Sequence, residues 1–215
     1  MGMDLPRHEP ACMIYFSDVD VVSKLAACGF LPWLPDLLGL PRDEIEIQYL
    51  ASLKSRLSRP GKKLANAIFQ KHLEEFCADH TIILGAGNIA RQEELLHQGI
   101  DVGESILFAE AEETSGIVVT GDKRALLAYS KASTAAQRAK LKVVCWEQLL
   151  LRVHQLRGYG ALKEGCCAGI ASDKLLSLAF SSGLATQEEH ALAALESYLR
   201  GVRTHSDDIL AKFET

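Results

Sequence analysis

Carboxylate side chains follow two of the strands that the sequence predicts. Asp18 and Asp20 come directly after a short apolar stretch rich in β-forming residues, and Asp122 follows a second stretch of the same kind. A further acid, Glu104, opens the helix that precedes the second strand. Because ligands of parallel α/β sheets bind at the carboxyl ends of the strands, we expect these acids to share one edge of a sheet.

Several carboxylates in one place repel each other unless a cation lies among them. Oxygen ligands suit Mg²⁺ or Mn²⁺. A pair of such ions hydrolyses phosphodiesters by activating a water and stabilising the leaving oxygen. We therefore predict a Mg²⁺ or Mn²⁺ site at Asp18, Asp20, Glu104 and Asp122. An aspartate after a strand is more often a helix cap than a ligand, so capping stays open for the three aspartates.

The elements that must position these acids alternate between strands and helices. The predicted strands are 13–17, 81–84, 117–120 and 141–145. Helical patterns separate the strands, and the chain after Trp146 is wholly helical. This order predicts a three-layer α/β/α domain with a central, mostly parallel sheet at 1–146. The remaining residues, 147–215, are predicted to form a helical C-terminal extension packed on that domain.

One segment between the first two predicted strands has the features of a helix start. Pro41 stands where a helix could begin, and Asp43, Glu44 and Glu46 enrich its first turns with acid. Proline at the first helical position and acids near the positive end of the helix dipole both favour a helix. We predict that this helix runs to about Leu57.

Charge argues against a general nucleic-acid coat protein. The chain has 215 residues, and its 23 Lys and Arg against 28 Asp and Glu give a formal charge of −5. Nucleic-acid contact therefore needs a local basic surface. Two acid-free basic runs, at 54–63 and 123–142, predict either solvated helix faces or a rim that holds a phosphate backbone.

Nothing in the sequence predicts contact with a membrane. No stretch approaches the roughly 20 apolar residues of a transmembrane helix, and residues 1–10 are too polar for a signal peptide. The six cysteines include no Cys-x-x-Cys pair, and several lie in apolar runs. We expect them to be reduced and mostly buried, in a cytoplasmic protein.

A glycine-rich motif predicts a different chemistry. Residues 81–90 fit a strand, a Gly-x-Gly-x-x-Ala turn and a helix, the arrangement that binds the pyrophosphate of a dinucleotide. The acid expected about 20 residues later should end a second strand. The acids found there, Asp101 and Glu104, open a helix instead. A plain tight turn is favoured, and a nucleotide-binding, Rossmann-like protein remains an alternative.

The acids and their neighbours resemble the PIN-domain nuclease family, above all its PIN-like members with a Gly-Glu motif and a helical C-terminal tail. The segments that carry the resemblance are Phe-Ser-Asp-Val-Asp at 16–20, Asp-Val-Gly-Glu at 101–104 and Val-Thr-Gly-Asp-Lys-Arg at 119–124. In that family an aspartate ends the first strand, Gly-Glu or Asp opens a later helix, and another strand ends in Thr-x-Asp. The resemblance covers residues 12–145.

The resemblance implies a set of catalytic acids. The residues that match the metal-binding acids of the family are Asp18, Glu104 and Asp122. Asp20 stands where the family often has Asn, so it either adds a carboxylate or orients the loop. The remaining acid of the family corresponds to Glu46 or Glu44, with Glu46 preferred. If Gln48 is the equivalent instead, one ligand is missing and a second metal ion binds weakly.

The resemblance also implies a function. Thr120 matches the hydroxyl residue near the last acid, and Lys123 and Arg124 follow as candidates for substrate binding. A metal-dependent endoribonuclease of single-stranded RNA is implied, and the resemblance allows a toxin with an antitoxin partner. A non-catalytic PIN-like module that binds nucleic acid or protein is the alternative. The apolar stripe of the helical tail packs on the parent domain or covers a homodimer or antitoxin contact.

Overall fold

The fold is built around a five-stranded parallel sheet. The computed structural model describes residues 13–39, 41–58, 67–83, 87–206 and 208–213. The strands are β1 (Met13–Ser17), β2 (Ile45–Tyr49), β3 (Thr81–Ile82), β4 (Ile117–Thr120) and β5 (Lys142–Cys145). Their order in the sheet is β3-β2-β1-β4-β5, and all four pairings are parallel.

Helices connect the strands and flank the sheet. They are α1 (Val19–Ala27), α2 (Leu34–Leu38), α3 (Ser52–Ser58), α4 (Ala67–Asp79), α5 (Ile89–His97), α6 (Val102–Thr114), α7 (Lys123–Ala132), α8 (Ala135–Lys140), α9 (Trp146–Ala168), α10 (Lys174–Ala179) and α11 (Glu188–Ser206). Helix α1 packs against α4 and α9, whereas α6 packs against α5 and α8. The predicted three-layer α/β/α fold with a helical extension is confirmed. Within the described ranges, no single helix is long and apolar enough to cross a membrane.

The helix predicted from Pro41 to Leu57 is wrong in its central part. Ile45–Tyr49 forms β2, a strand paired on both sides, and α3 begins only at Ser52. The side chains of Ile47 and Tyr49 are buried in the core, which is the period-two pattern of a strand. Burial of these apolar residues between two neighbouring strands outweighs the acid-rich start that favoured a helix.

The order of the strands creates a crevice between β1 and β4. The chain lays β2 and β3 on one side of β1 and then returns to place β4 and β5 on the other side. Such a reversal opens a binding crevice outside the carboxyl ends of the two central strands. The first residue after β1, Asp18, donates its backbone N–H to the carbonyl oxygen of Val119 on β4 at 2.9 Å. The two strand ends therefore lie side by side.

The C-terminal extension is joined to the sheet by a shared core. Buried residues before and after Trp146 form one hydrophobic cluster. The chain then returns to the outer edge of β5, where Val143 exchanges backbone hydrogen bonds with Ile209 and Ala211 at 2.8 and 2.7 Å. This last segment pairs with an edge that an open sheet would expose.

Two glycines of α9 allow the packing of the extension to be tested. A Cβ on Gly165 would lie 2.6 Å from the carbonyl oxygen of Cys28 and would overlap the ring of Phe30. A Cβ on Gly160, in the same helix, would meet nothing within 4 Å. We expect Gly165→Ala to lower the free energy of unfolding by about 1 to 3 kcal/mol, and the control Gly160→Ala to raise it by up to about 1 kcal/mol. Urea unfolding measures both, and equal stabilities would contradict this packing.

Candidate functional site

Asp18 stands at the entrance of the crevice. It is the residue between β1 and α1, and its side chain makes no capping hydrogen bond to α1. Burial is the main reason that the pKa of Asp18 is raised to about 6, and the negative charges of Asp20 and Asp101 act in the same direction. The backbone N–H of Asp20 and the charge of Lys24 oppose the rise. A partly desolvated carboxylate at a strand end, with at most a weak contact to the backbone N–H of Asp20, has oxygen lone pairs left to bind a ligand.

Glu104 lies in the first turn of α6, and its residue is only 6% exposed. Burial raises the pKa of Glu104 to about 9. A hydrogen bond with Asp101 and the charges of Asp18 and Asp122 act in the same direction. In the absence of a cation, Glu104 therefore holds a proton at neutral pH. The charges of Asp18, after β1, and of Asp122, after β4, both act on Glu104, so these acids are within electrostatic reach of it.

Asp101 is a member of this cluster that the sequence analysis missed. Its Oδ1 accepts the backbone N–H of Glu104 at 3.0 Å and so caps α6. The hydrogen bond from the Glu104 carboxyl group holds the pKa of Asp101 below its ordinary value, and the charge of Arg124 contributes. An aspartate three residues before an acid is a typical signal for a helix start. That signal placed Asp101 at the helix but did not identify it as a neighbour of Asp18.

Asp122 both caps a helix and belongs to the cluster. Its Oδ1 accepts the backbone N–H groups of Arg124 and Ala125 at 2.7 and 3.1 Å, at the start of α7. Its Oδ2 lies 3.5 Å from the guanidinium of Arg124. Thr120, buried at the end of β4, accepts the backbone N–H of Asp122 at 3.1 Å and fixes the turn. Capping uses one oxygen of Asp122, so it does not exclude ligation by the other.

Asp20 is held by a lysine on its own helix. Its Oδ2 lies 2.7 Å from Nζ of Lys24, which also lies 2.8 Å from Oδ2 of Asp173. Burial alone would lower the pKa of Lys24, but hydrogen bonds to Asp173 and Asp20 outweigh it and raise that pKa. The predicted ligand Asp20 is thus paired with a resident ammonium group.

The structure does not bring Glu46 to this crevice. Glu46 lies on β2, opposite the residue four positions before Asp18 on β1, which is about 13 Å away along the strand. Its Oε1 accepts hydrogen bonds from Gln48 at 2.8 Å and from Thr81 at 3.3 Å. The alternative Glu44 lies before β2, still further from the edge. The expectation that Glu46 or Glu44 joins the acids assumed a helix at this segment, whereas the segment at 45–49 is the strand β2.

The two basic residues that follow Asp122 differ in their contacts. Nζ of Lys123 lies 2.8 Å from Oε1 of Glu147, whose residue is only 2% exposed. This pair joins α7 to α9, so the ammonium group of Lys123 is already bound to a carboxylate. The side chain of Arg124 is 94% exposed beside Asp122 and remains a candidate for substrate binding. Of the basic run 54–63, residues 59–63 lie outside the described part of the chain.

The glycine-rich motif at 81–90 is occupied by acids where it is described. Residues 84–86 lie outside the described part of the chain. The backbone N–H of Gly87 donates to Oε1 of Glu110 at 2.7 Å. A carboxylate therefore takes the place that a pyrophosphate would need. In addition, β3 lies at the edge of the sheet and not at the crevice, and both observations disfavour a dinucleotide site.

The acids of the crevice are oxygen donors only, which suits Mg²⁺ or Mn²⁺. Across the described ranges, no three or more His, Cys, Asp or Glu side chains already surround a point that could hold a metal ion. The hydrogen bond between Glu104 and Asp101 is one contact that ligation would have to break.

The chain was compared with models of protein families, with curated proteins and with solved structures. Its function must be argued from its own residues, because none of the three comparisons found a match.

Proposed function

We propose that the protein is a Mg²⁺- or Mn²⁺-dependent endoribonuclease that hydrolyses single-stranded RNA, with a site similar to that of PIN-domain nucleases. The observation that carries the proposal is the cluster of Asp18, Asp101, Glu104 and Asp122 outside the ends of β1 and β4. Burial and mutual repulsion raise the pKa of Glu104 to about 9 and that of Asp18 to about 6. A divalent cation among these carboxylates would offset both the loss of solvation on burial and the mutual repulsion of the negative charges.

The donor set fits such a cation. Asp18, Glu104 and Asp122 would hold it, since each contributes carboxylate oxygen at the same edge. The ammonium group of Lys24, between two further carboxylates, already provides positive charge there. A bound divalent ion lowers the pKa of a water and stabilises the oxygen that leaves the phosphorus.

The residues of the chain itself position the groups and the substrate. Asp101 holds the Glu104 carboxyl group by a hydrogen bond as long as no cation is bound. Thr120 fixes the turn that carries Asp122. Arg124 is exposed next to that turn, and its guanidinium can bind a phosphate of the RNA backbone.

The proposed substrate and cellular role rest on the resemblance to the PIN-domain family. Single-stranded RNA and the role of a toxin with an antitoxin partner are properties of the family that the site resembles. A cytoplasmic location agrees with the free, buried thiols of Cys28, Cys145 and Cys166, because an oxidising compartment favours disulfides.

A non-catalytic PIN-like module is the second candidate. The position of Glu46 favours it, because the fourth acid of the family is then absent from the crevice, and Lys123 is already paired with Glu147. Asp101 supplies a carboxylate to the same crevice, which favours the enzyme. RNA binding without cleavage in millimolar Mn²⁺ would support the module.

Cleavage assays test the proposal directly. We expect the full chain to cut end-labelled single-stranded RNA in Mg²⁺ or Mn²⁺, to cut duplex RNA more slowly, and to be inactive in EDTA. The matched control is Glu46→Gln, which removes an acid outside the crevice and should keep activity within about twofold. Cleavage that persists in EDTA would contradict the proposal.

A further inference from the structure

Lys24 is a largely buried cation at the edge of the sheet that carries the acids. Its side chain is 11% exposed, and its Nζ lies 2.7 Å from Oδ2 of Asp20 and 2.8 Å from Oδ2 of Asp173. The same Nζ lies 3.5 Å from the position that a Cβ on Gly121 would take, directly after β4. The ammonium group therefore lies at the mouth of the crevice between β1 and β4.

Two separate parts of the chain hold this ammonium group. Asp20 precedes Lys24 by one turn of α1. Asp173 belongs to the C-terminal extension, where its Oδ1 caps α10 by accepting the backbone N–H groups of Leu175 and Leu176 at 2.8 and 3.4 Å. Its Oδ2 is left for Lys24. Because Asp173 caps a helix and is partly buried, its side chain has little conformational freedom. The extension therefore fixes the ammonium group of Lys24 in place.

The arrangement has the geometry of a cation shared by two carboxylates. Removing the ammonium group would leave Asp20 and Asp173 facing one another across a small space with two negative charges. Those oxygens would then provide a second place for a divalent ion. In the native protein, the lysine occupies that place.

We infer that Lys24 is a permanent second cation of the carboxylate site, held by Asp173 of the helical extension, so that the site binds one divalent ion and not two. The inference deepens the proposed function and rests on it for the divalent ion. It gives the extension a direct part in the site. It also assigns Asp20 to the lysine, leaving Asp18, Glu104 and Asp122 for the metal.

Counting bound Mn²⁺ ions tests the inference. We expect calorimetric titration, and electron paramagnetic resonance of free Mn²⁺, to give one ion per wild-type chain. Lys24→Met keeps the length of the side chain without its charge and should bind two. Lys24→Arg should restore one ion. The control Arg157→Gln breaks another ion pair of the extension, 2.6 Å to Asp36, and should leave the count at one.

The outcomes separate this inference from the nuclease proposal. Two ions on the wild-type chain, or one ion on a folded Lys24→Met variant, would overturn the role of Lys24. If that variant does not fold, two ions on the wild-type chain would still overturn the role of Lys24. One ion on the wild type and two on Lys24→Met, without RNA cleavage, would support the role of the lysine and contradict the nuclease. No bound ion on the wild-type chain would overturn both.

Discussion

Asp122→Asn is expected to reduce the rate of RNA cleavage by at least about 10³-fold, or about 4 kcal/mol of transition-state stabilisation. Asparagine caps helices as well as aspartate, so the contacts of Oδ1 with Arg124 and Ala125 are retained. What the change removes is the negative charge that a divalent ion needs. The variant thus separates capping from ligation, the two roles that the sequence leaves open for this residue.

Single-turnover cleavage in Mn²⁺ measures the effect, and thermal unfolding checks that the fold is kept. We expect the melting temperature without metal to stay within about 2 °C of the wild-type value. The Glu46→Gln control changes a carboxylate of similar exposure to an amide away from the crevice. Wild-type activity in Asp122→Asn would show that the residue is only a cap.

Glu104→Gln is expected to abolish metal-dependent activity and yet to stabilise the metal-free protein. Burial holds the pKa of Glu104 at about 9 in the folded state, against an ordinary value of 4.5. Between about pH 4.5 and 9 the folded chain keeps a proton that the unfolded chain has lost. Its stability therefore falls as the pH rises through this window. Glutamine stays neutral and can still donate to Asp101, so the variant should lack this part of the pH dependence.

Thermal unfolding in EDTA at pH 5, 6.5 and 8 measures this difference. At pH 8 we expect Glu104→Gln to be more stable than the wild type by on the order of 1 to 2 kcal/mol after allowance for screening, a shift of several degrees. Asp18, with a pKa of about 6, should give both proteins a smaller loss of stability as the pH rises toward 6. Addition of Mn²⁺ should stabilise only the wild type. If the stabilities of the two proteins in EDTA changed equally with pH, Glu104 would not be the buried group that keeps its proton.

The sequence predicts the central part of the fold because its signals there are local. Strands β1, β4 and β5 are continuous apolar runs, and the acids that follow β1 and β4 meet because parallel strands end at one edge. The same reasoning fails at β2. There Pro41 and three acids have the pattern of a helix start. The alternating apolar residues Ile45, Ile47 and Tyr49 form a strand instead, because the segment pairs with β1 and β3.

The remaining parts of the site depend on contacts between distant residues. Asp173 reaches Lys24 through the fold of the extension, and no local pattern in either segment predicts that contact. Lys123 adjoins Asp122 in the sequence, but its ammonium group pairs with the buried carboxylate of Glu147, which is 24 positions further along the chain. Asp101 carries a local capping signal, and its place beside Asp18 follows only from the way α6 begins at the same edge.

The central claim is that a divalent ion binds among the carboxylates outside β1 and β4. Anomalous scattering from crystals soaked in Mn²⁺ at pH 8 tests it most directly, because it locates the ion without relying on activity. We predict one peak within about 2.3 Å of carboxylate oxygens of Asp18 and Asp122, with Glu104 turned from Asp101 toward the ion. No peak at millimolar Mn²⁺, or a peak elsewhere in the protein, would contradict the account.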